Sequence, residues 1–427
     1  MALLKHSTLH LSPDASRTVI RPFDPQYPDA FAHDGQSRTE RIVAAVLAKN
    51  AEELAADEKR MIAPLHARHR NLDDRLLARY CDVARVVPAA DGASDQAKLV
   101  IGAYFSEEYS FEAAALFNPS MVPHPRQDGM PEGTVRILLS LRGIGEGHIS
   151  SVTFRTGRWS KRDGFTIDRP SHQAVSPVIS AAAVPGDDVT RIQCVGSRDP
   201  SESVLFPVTD SQRQGIEDLR LCQFVDDDGT VDHVGTYTAF DGRATRSELL
   251  RGFNYDEFEM RPLNGSVAAA KGMALFPRRI DGRYAMLGRQ DNESIWLILS
   301  DDLYTWDGGE KLISPKFGWD LCQMGNCGSP IEIDEGWLVI THGVGLMRNY
   351  SMGAALLDKQ DPSKVLARTA EPILRPSAKE RDGYVPNVVY SCGAMVHDRT
   401  LLLPYGIADN FAAFASCEVD DILAVLR

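Results

Sequence analysis

The sequence predicts an all-β fold, a five-bladed β-propeller, preceded by an α-helical extension. Apolar residues recur at helical spacing near the N-terminus, whereas beyond residue 90 the chain changes to short apolar runs separated by Gly, Asp, Asn and Pro. Several runs return at intervals of about 50 to 65 residues, a period typical of small antiparallel sheets repeated around an axis. We therefore expect a helical extension over residues 1–90 and a propeller domain over residues 91–427.

The N-terminal part contains two segments with the periodicity of amphipathic helices. Their apolar residues are Ile42, Val43, Val46 and Leu47 in the first and Leu72, Leu76, Leu77 and Tyr80 in the second. Residues 59–71, between them, are rich in charge and include His66 and His69. This composition is typical of a solvated helix face, so no chemistry is assigned to it.

The remainder of the chain is built from strand-like apolar runs that end in small or polar residues. The runs are 137–141 (ILLSL), 234–238 (VGTYT), 284–288 (YAMLG), 337–341 (WLVIT) and 401–405 (LLLPY). An earlier strand and a turn precede some of them, as at residues 275–282 and 331–336, and a third strand follows at residues 295–299. Strand, turn, strand and third strand form the plan of a blade. A β-sandwich is the competing fold, but it normally fits within a shorter chain.

Composition excludes several classes of protein. A net charge of -13 disfavours a nucleic-acid interface, which needs clustered Lys and Arg. No apolar run reaches the length of a membrane span, and residues 1–10 do not resemble a secretory signal, so we expect a cytoplasmic protein without a membrane partner. The seven cysteines are scattered, match no zinc spacing and are expected to be free thiols. Neither a metal nor a nucleotide cofactor is predicted, because residues 143–147 lack the lysine of a phosphate-binding loop.

Each predicted blade offers at least one polar residue beside a strand, where the loops of a propeller surround a central pocket. These residues are Asn118 in the first blade, Asp218 and Arg220 in the second, Lys271 and Arg289 in the third, His342 in the fourth and Asp409 in the fifth. Each has an ordinary structural interpretation: a buried ion pair within residues 215–220, solvated charges at strand ends, or a core histidine. Their recurrence at matching places favours a common site.

Several longer segments carry a family resemblance. They are residues 215–220 (GIEDLR), 275–284 (LFPRRIDGRY), 336–344 (GWLVITHGV), 353–358 (GAALLD), 383–390 (GYVPNVVY) and 405–409 (YGIAD). In this order they resemble glycoside hydrolase family 130 over roughly residues 97–426. The resemblance implies a five-bladed propeller that acts on β-mannosides, in many members as an inverting phosphorylase that transfers mannose to inorganic phosphate.

The resemblance also implies roles for individual residues. Asp218 falls on the catalytic acid of a family motif whose third position, commonly proline, is Leu219 here, and Arg220 would support it electrostatically. The family's phosphate ligands fall on Lys271, Arg289 and His342, and its sugar contacts on Asn118 and Asp409. Glu217 is interpreted as a sugar-binding carboxylate or, if water replaces phosphate, as the base.

The chemistry distinguishes three functions. Inverting hydrolysis needs an acid and a carboxylate base, whereas inverting phosphorolysis needs one acid and cations that hold phosphate. One acid with a Lys, Arg and His cluster favours a phosphorylase with phosphate as co-substrate and a β-mannoside oligosaccharide as substrate. An inverting β-1,2-mannosidase, with Glu257 and Glu259 as further carboxylates, and a non-catalytic sugar-binding propeller remain alternatives.

Some assignments stay open at this level. Arg142 or Arg155 could complete the anion site, and the sequence does not choose between them. Trp319, Tyr350 and Tyr384 could stack on sugars, although aromatic residues at strand ends more often pack in the core or at its rim. The helical extension could shape the acceptor site or mediate formation of a homo-oligomer.

Overall fold

β-Strands dominate the computed structural model, which describes residues 3–25, 37–180, 188–252, 256–377 and 383–427. In chain order the strands of these residues are β1 (Lys5–Leu11), β2 (Thr18–Pro22), β3 (Ser106–Ser110), β4 (Ala115–Pro123), β5 (Thr134–Ile144), β6 (Ser150–Ser160), β7 (Gly164–Ile167), β8 (Val178–Ile179), β9 (Thr190–Gln193), β10 (Val204–Leu205), β11 (Gly215–Val225), β12 (Val231–Phe240), β13 (Thr245–Arg251), β14 (Glu257–Pro262), β15 (Lys271–Leu275), β16 (Tyr284–Arg289), β17 (Ile295–Ser300), β18 (Glu310–Ile313), β19 (Gln323–Asn326), β20 (Ile331–Ile333), β21 (Gly336–Val344), β22 (Tyr350–Leu357), β23 (Val365–Arg368), β24 (Val389–Tyr390), β25 (Met395–His397), β26 (Thr400–Ile407) and β27 (Phe411–Glu418). The prediction of an all-β fold is confirmed.

The helices, with one exception, form a separate layer near the N-terminus. They are α1 (Arg38–Leu47), α2 (Ala51–Asp57), α3 (Leu72–Val86), α4 (Asp95–Tyr104) and, at the C-terminus, α5 (Val419–Val425). Ser37 starts α1 with a capping box, since its hydroxyl accepts a hydrogen bond from the Glu40 amide and the Glu40 carboxylate accepts one from the Ser37 amide. None of the helices in the described ranges is long and apolar enough to cross a bilayer.

The apolar stripes of these helices pack into one core cluster, to which α1 contributes Val43, α3 contributes Leu76 and α4 contributes Ile101. The two predicted helical segments therefore correspond to α1 and α3. Helix α4 begins after residue 90 and still belongs to this cluster, so the helical part continues past the boundary expected from the sequence.

Most of residues 59–71 are exposed, as their composition suggested, but His69 is an exception. His69 is only 4% exposed, and its Nε2 lies 2.8 Å from Glu108 Oε1 on β3. Burial lowers the pKa of His69, so the neutral ring donates to the carboxylate. Arg68 binds the other oxygen of Glu108 at 2.7 Å, and the segment thereby ties the helical layer to the β2–β3 ribbon.

Two strands precede the helices, and sequence periodicity missed both. β1 pairs antiparallel with β27 near the C-terminus, with Lys5 opposite Ser416, and β2 pairs with β3. The partners of β1 are about 400 residues away in the chain, so no local pattern identifies the pairing. The first residues of the chain thus complete the sheet formed by the last ones.

The strands of the described residues are arranged in five sheets. Their orders are β1-β27-β26-β24 with β25 on β26, β15-β16-β17-β18, β19-β21-β22-β23 with β20 on β21, the β2–β3 ribbon, and an eleven-stranded sheet β4-β5-β6-β11-β12-β13-β14-β9-β8 with β7 and β10 on β6. The five predicted apolar runs lie in β5, β12, β16, β21 and β26. The first two predicted blades merge because β6 and β11 are linked through Gly215 and Ser150. Within the described residues the sheets do not close into a ring, so the five-bladed arrangement stays a prediction.

Successive sheets pack face to face through apolar side chains. Phe276 follows β15, and its ring meets that of Trp337 on β21 at 5.0 Å and 76°, in a cluster with Leu287 and Val339. All nine residues of β21 are buried, which explains why this strand reads as a continuous apolar run instead of an alternating one. This packing fixes the position of one sheet on the next and places the ends of their strands close together.

Candidate active site

Asn118, Asp218 and Asp409 share an uncommon backbone conformation, with φ values of 47°, 55° and 50°. Asn118 lies where the register of β4 with β5 shifts, and Asp218 lies at the corresponding shift between β11 and β12. A bulge redirects a side chain from its regular place in the sheet, and Asn and Asp tolerate the left-handed region better than other residues with side chains. Asp409 has the same conformation in the turn between β26 and β27.

The bulges bring two distant residues into contact. Asn118 Nδ2 donates a hydrogen bond of 2.7 Å to Asp218 Oδ1. Close approach of β26 to β4 supports this arrangement, because a Cβ added to Gly406 would lie only 3.0 Å from the Asn118 backbone nitrogen. A side chain at that position would press on the Asn118 backbone, so glycine favours the close approach of the two strands.

Arg142, at the end of β5, bridges the two adjacent carboxylates of β11. Its Nη2 donates to Glu217 Oε1 at 2.7 Å, and its Nη1 lies 3.5 Å from Asp218 Oδ1. Ser150 orients the guanidinium, since the Ser150 hydroxyl accepts from Arg142 Nε at 2.7 Å and donates to the Ile216 carbonyl at 2.8 Å. Lys271 Nζ stands 3.6 Å from Glu217 Oε2, so two cations face that carboxylate.

Arg220 and Arg289 form the second half of the site. Arg220 is buried, donates to the Asp218 carbonyl and to the Tyr390 hydroxyl at 2.9 Å each, and has an Nη2 at 3.8 Å from Asp218 Oδ2. Arg289 Nη1 donates to His342 Nε2 at 3.1 Å. The rings of His342 and Tyr390 meet edge to face at 4.9 Å. Arg220, Arg289, His342 and Tyr390 are therefore one connected group, which we call the arginine cluster.

His342 differs from the cationic ligand suggested by the Lys, Arg and His set. Burial lowers the pKa of His342 well below its ordinary value, and the charges of Arg289 and Arg220 lower it further. The ring is therefore neutral near pH 7 and accepts the Arg289 hydrogen bond at Nε2. The positive charge of the cluster resides on its two arginines, and the side chain of nearby Lys271 is 44% exposed.

The pKa values of the two aspartates are shifted in opposite directions. Burial alone would raise the pKa of Asp218, but the charges of Arg142, Arg220 and Lys271 and the Asn118 hydrogen bond outweigh it and hold the pKa below its ordinary value. Burial raises the pKa of Asp409 to about 6, with a further contribution from the charge of Asp218. Asp218 is therefore ionised near pH 7, and Asp409 titrates near pH 6.

Because the pKa of Asp409 is raised, replacing Asp409 by Asn should stabilise the protein by an amount that depends on pH. The folded protein holds the Asp409 proton up to about pH 6 and the unfolded chain only up to about pH 4, so stability falls as pH rises between these values. Asp409→Asn removes this cost and should stabilise the protein by about 1–3 kcal/mol at pH 7.5 and by less at pH 5.

Urea unfolding at the two pH values measures this difference. Asp228→Asn serves as a control, because hydrogen bonds from Thr230 lower the pKa of that exposed aspartate, so its loss should not stabilise. An equal gain from Asp409→Asn at both pH values would contradict the assigned ionisation.

All residues singled out for the site in the sequence lie in this region, namely Asn118, Glu217, Asp218, Arg220, Lys271, Arg289, His342 and Asp409. Arg142, one of the two arginines that could complete the anion site according to the sequence, also lies here. Arg155 instead binds buried Glu112 at 2.8 Å. Glu257 and Glu259 lie on β14 and pair with Gln193 and Arg191, away from the site.

Tyr390 and Ser150 are contacts that sequence reasoning did not assign. Tyr390 lies at the end of segment 383–390, which carries part of the family resemblance. It follows two valines directly, and a polar residue at the end of an apolar run is the signal that could have identified it. Ser150 carries no such signal. Tyr384 is exposed and its ring lies 5.5 Å from that of His148. No group of three or more metal-ligating side chains occurs among the residues that the structure describes.

Comparison with known proteins gives consistent matches. Residues 198–427 match the model of glycoside hydrolase family 130, described as beta-1,4-mannooligosaccharide phosphorylase. A 1,2-beta-oligomannan phosphorylase from Thermoanaerobacter sp. (strain X514) is 38% identical over 226 residues, which are 51% of this chain and 73% of the relative. A beta-1,2-mannobiose phosphorylase from Listeria innocua is 34% identical over 232 residues, which are 52% of this chain and 63% of that protein.

A solved structure extends the match in three dimensions. The beta-1,2-mannobiose phosphorylase of Listeria innocua, in complex with beta-1,2-mannobiose, superimposes with a TM-score of 0.54 at 24% identity. The superposition covers 74% of this chain and 92% of the solved one. At this identity the likeness establishes a shared fold.

Proposed function

This chain belongs to glycoside hydrolase family 130, and on that premise we propose that it is an inverting phosphorylase that transfers mannose from β-mannosides to inorganic phosphate. The observation that carries the proposal is one aspartate, Asp218, placed between Arg142 and the arginine cluster. Phosphate is itself the nucleophile, so phosphorolysis needs an acid and an anion site but no base.

The proposed reaction uses Asp218 as the general acid. A phosphate oxygen attacks the anomeric carbon from the face opposite the leaving group, and the bond between that carbon and the glycosidic oxygen breaks. The Asp218 proton passes to the leaving oxygen, directly or through a sugar hydroxyl. The products are mannose 1-phosphate of inverted configuration and the shortened acceptor, with Asp218 left ionised.

Phosphate binding can favour the protonated form of Asp218 that the reaction needs. The charges of Arg220 and Lys271 are among those that hold the pKa of Asp218 down. A phosphate dianion on these cations offsets their charge and adds its own, and both effects raise the pKa of a neighbouring carboxyl. The acid form of Asp218 then becomes available when the nucleophile is in place.

The other residues take roles that fit their contacts. Arg220, Arg289 and Lys271 would bind phosphate as cations, and neutral His342 would orient Arg289 or donate a hydrogen bond. Asn118 and Asp409 would bind the mannosyl hydroxyls beside Asp218. Glu217 is held by Arg142 and Lys271, an arrangement that suits a charge-balancing or sugar-binding carboxylate better than a free base. A five-bladed arrangement of the sheets accounts for this convergence of side chains.

The direct test is to incubate the protein with β-1,2- and β-1,4-mannobiose, with and without phosphate, and to identify the products by nuclear magnetic resonance. Mannose 1-phosphate formed only in the presence of phosphate supports the proposal. Free mannose released at the same rate without phosphate would establish hydrolysis instead, and no turnover in any mixture would favour a sugar-binding protein.

A second test concerns the anion site. Arg289→Gln removes a cation that can make charge-assisted hydrogen bonds worth about 1.5–3 kcal/mol, so the KM for phosphate should rise about tenfold to a hundredfold. Arg278→Gln is the matched control, because Arg278 pairs with Glu332 outside the site. Initial rates at varied phosphate measure the effect, and equal KM values for the two variants would remove Arg289 from phosphate binding.

A further inference from the structure

Beside the candidate active site lies a groove of about 550 Å³, lined by Phe317, Trp319, Leu346, Asn349, Glu371 and Arg375 among others. We propose that this outer groove binds additional mannosyl units of a β-mannoside oligosaccharide. The identity of the sugar rests on the proposed function. The volume of the outer groove falls within the range of about 300–1,000 Å³ usual for ligand sites.

The floor of the outer groove is an aromatic ring held in place. Trp319 packs on the backbone of two strands, since a Cβ added to Gly343 or to Gly353 would lie 2.6 Å from its ring. The Trp319 indole Nε1 donates to the Ala370 carbonyl at 3.0 Å. A half-buried ring fixed in this way can stack on a sugar without losing rotamer entropy on binding.

The remaining lining is amphipathic and electrically balanced. Among the described lining residues, the charged side chains are Glu371 and Arg375, which pair with each other. Leu346, 85% exposed, adds an apolar surface at the rim, and Asn349 and Ser351 add polar groups. This combination suits a neutral, hydroxyl-rich ligand better than an anion, which would need unpaired cations.

One turn forms a wall of both the outer groove and the active site. Residues 345–349 connect β21, which carries His342, to β22, which begins at Tyr350. On one side, the ring of Tyr350 stacks on that of His342 at 6.2 Å, and the charge of Arg348 acts on Asp409. On the other side, Leu346 and Asn349 line the groove. A sugar chain that crossed this turn from the active site would reach Leu346 and Asn349 in the outer groove.

Two sources could supply the sugar: the distal units of a substrate bound in the active site, or a second oligosaccharide. Calorimetric titration of the Asp218→Asn variant, which should not consume its ligand, distinguishes them with mannobiose and mannohexaose of β-1,2 and β-1,4 linkage. One hexaose per protein indicates a chain that spans both sites. Two hexaoses per protein indicate independent occupation of the groove.

Adding Trp319→Ala should weaken hexaose binding about fivefold to tenfold and leave mannobiose binding unchanged. Leu346→Ser, which alters an exposed side chain only, should weaken hexaose binding in the same direction and guards against misfolding of the tryptophan variant. Unchanged hexaose affinity in both variants, or equal losses for biose and hexaose, would overturn the proposal. If hexaose binding depends on Trp319 but the protein makes no mannose 1-phosphate, the groove is a sugar-binding site and the proposed phosphorylase activity is wrong.

Discussion

Replacing Asp218 by Asn is expected to lower kcat for mannoside phosphorolysis by about 10²- to 10⁴-fold, the usual contribution of a general acid. The change removes the transferable proton and keeps the shape of the side chain. Asparagine tolerates the left-handed backbone of residue 218 and can still accept the Asn118 hydrogen bond through its amide oxygen, so the fold should be preserved.

Steady-state rates at saturating mannobiose and phosphate measure this loss. Asp226→Asn is the matched control, since Asp226 follows β11 and pairs with Arg279 away from the site, and it should retain wild-type activity. Substrate binding gives the second measurement, because a variant that lacks only the proton should bind the oligosaccharide with about the wild-type affinity. A variant with more than about a tenth of the wild-type kcat would remove Asp218 from the acid role.

Replacing Glu112 by Gln is expected to destabilise the protein by about 3–5 kcal/mol, because it removes the buried carboxylate that two buried arginines share. Glu112 is completely buried, accepts hydrogen bonds from Arg155 at 2.8 and 3.0 Å, and pairs with Arg17 at 3.0 Å. Burial, reinforced by Arg155, lowers the pKa of Arg17 to about 10, which shows how costly this arrangement already is. The cluster fastens the segment between β1 and β2 to β6.

Urea unfolding at pH 7 measures the loss. Glu335→Gln is the matched control, because Glu335 forms a partly exposed ion pair with Arg399 and such pairs contribute only about 0–1 kcal/mol. A change below about 1 kcal/mol for Glu112→Gln would mean that the two arginines find other partners, and the cluster would then not anchor the N-terminal segment.

Much of the candidate site was predictable because each residue stands beside a recognisable strand. Asn118, Asp218 and Lys271 are polar residues beside predicted strands, their roles follow from the family resemblance, and the structure places them in one region. The choice between Arg142 and Arg155 was not predictable. Both are arginines in neighbouring strands, and only the pairing of β5 with β6 and the link of β6 to β11 at Ser150 and Gly215 decide which of them faces Glu217.

The ionisation of the site was also hidden from the sequence. His342 belongs by residue type to a cationic set, yet burial beside Arg289 and Arg220 leaves it neutral. Asp218 and Asp409 are the same residue type, and their surroundings shift their pKa values in opposite directions. Such shifts depend on desolvation and on charges that are distant in the chain, which no spacing rule contains.

Elements with local causes could be predicted from the sequence: helices with apolar stripes, strands with buried runs, and the residue types around Asp218. Features that depend on distant partners become visible only in the folded protein: the addition of β1 to the last sheet, the bridging of Glu217 and Asp218 by Arg142, and the neutral state of His342. The two groups differ in how far apart along the chain their interacting residues lie. Periodicity and turn chemistry act over a few residues, whereas strand pairing, burial and electrostatics join residues hundreds of positions apart.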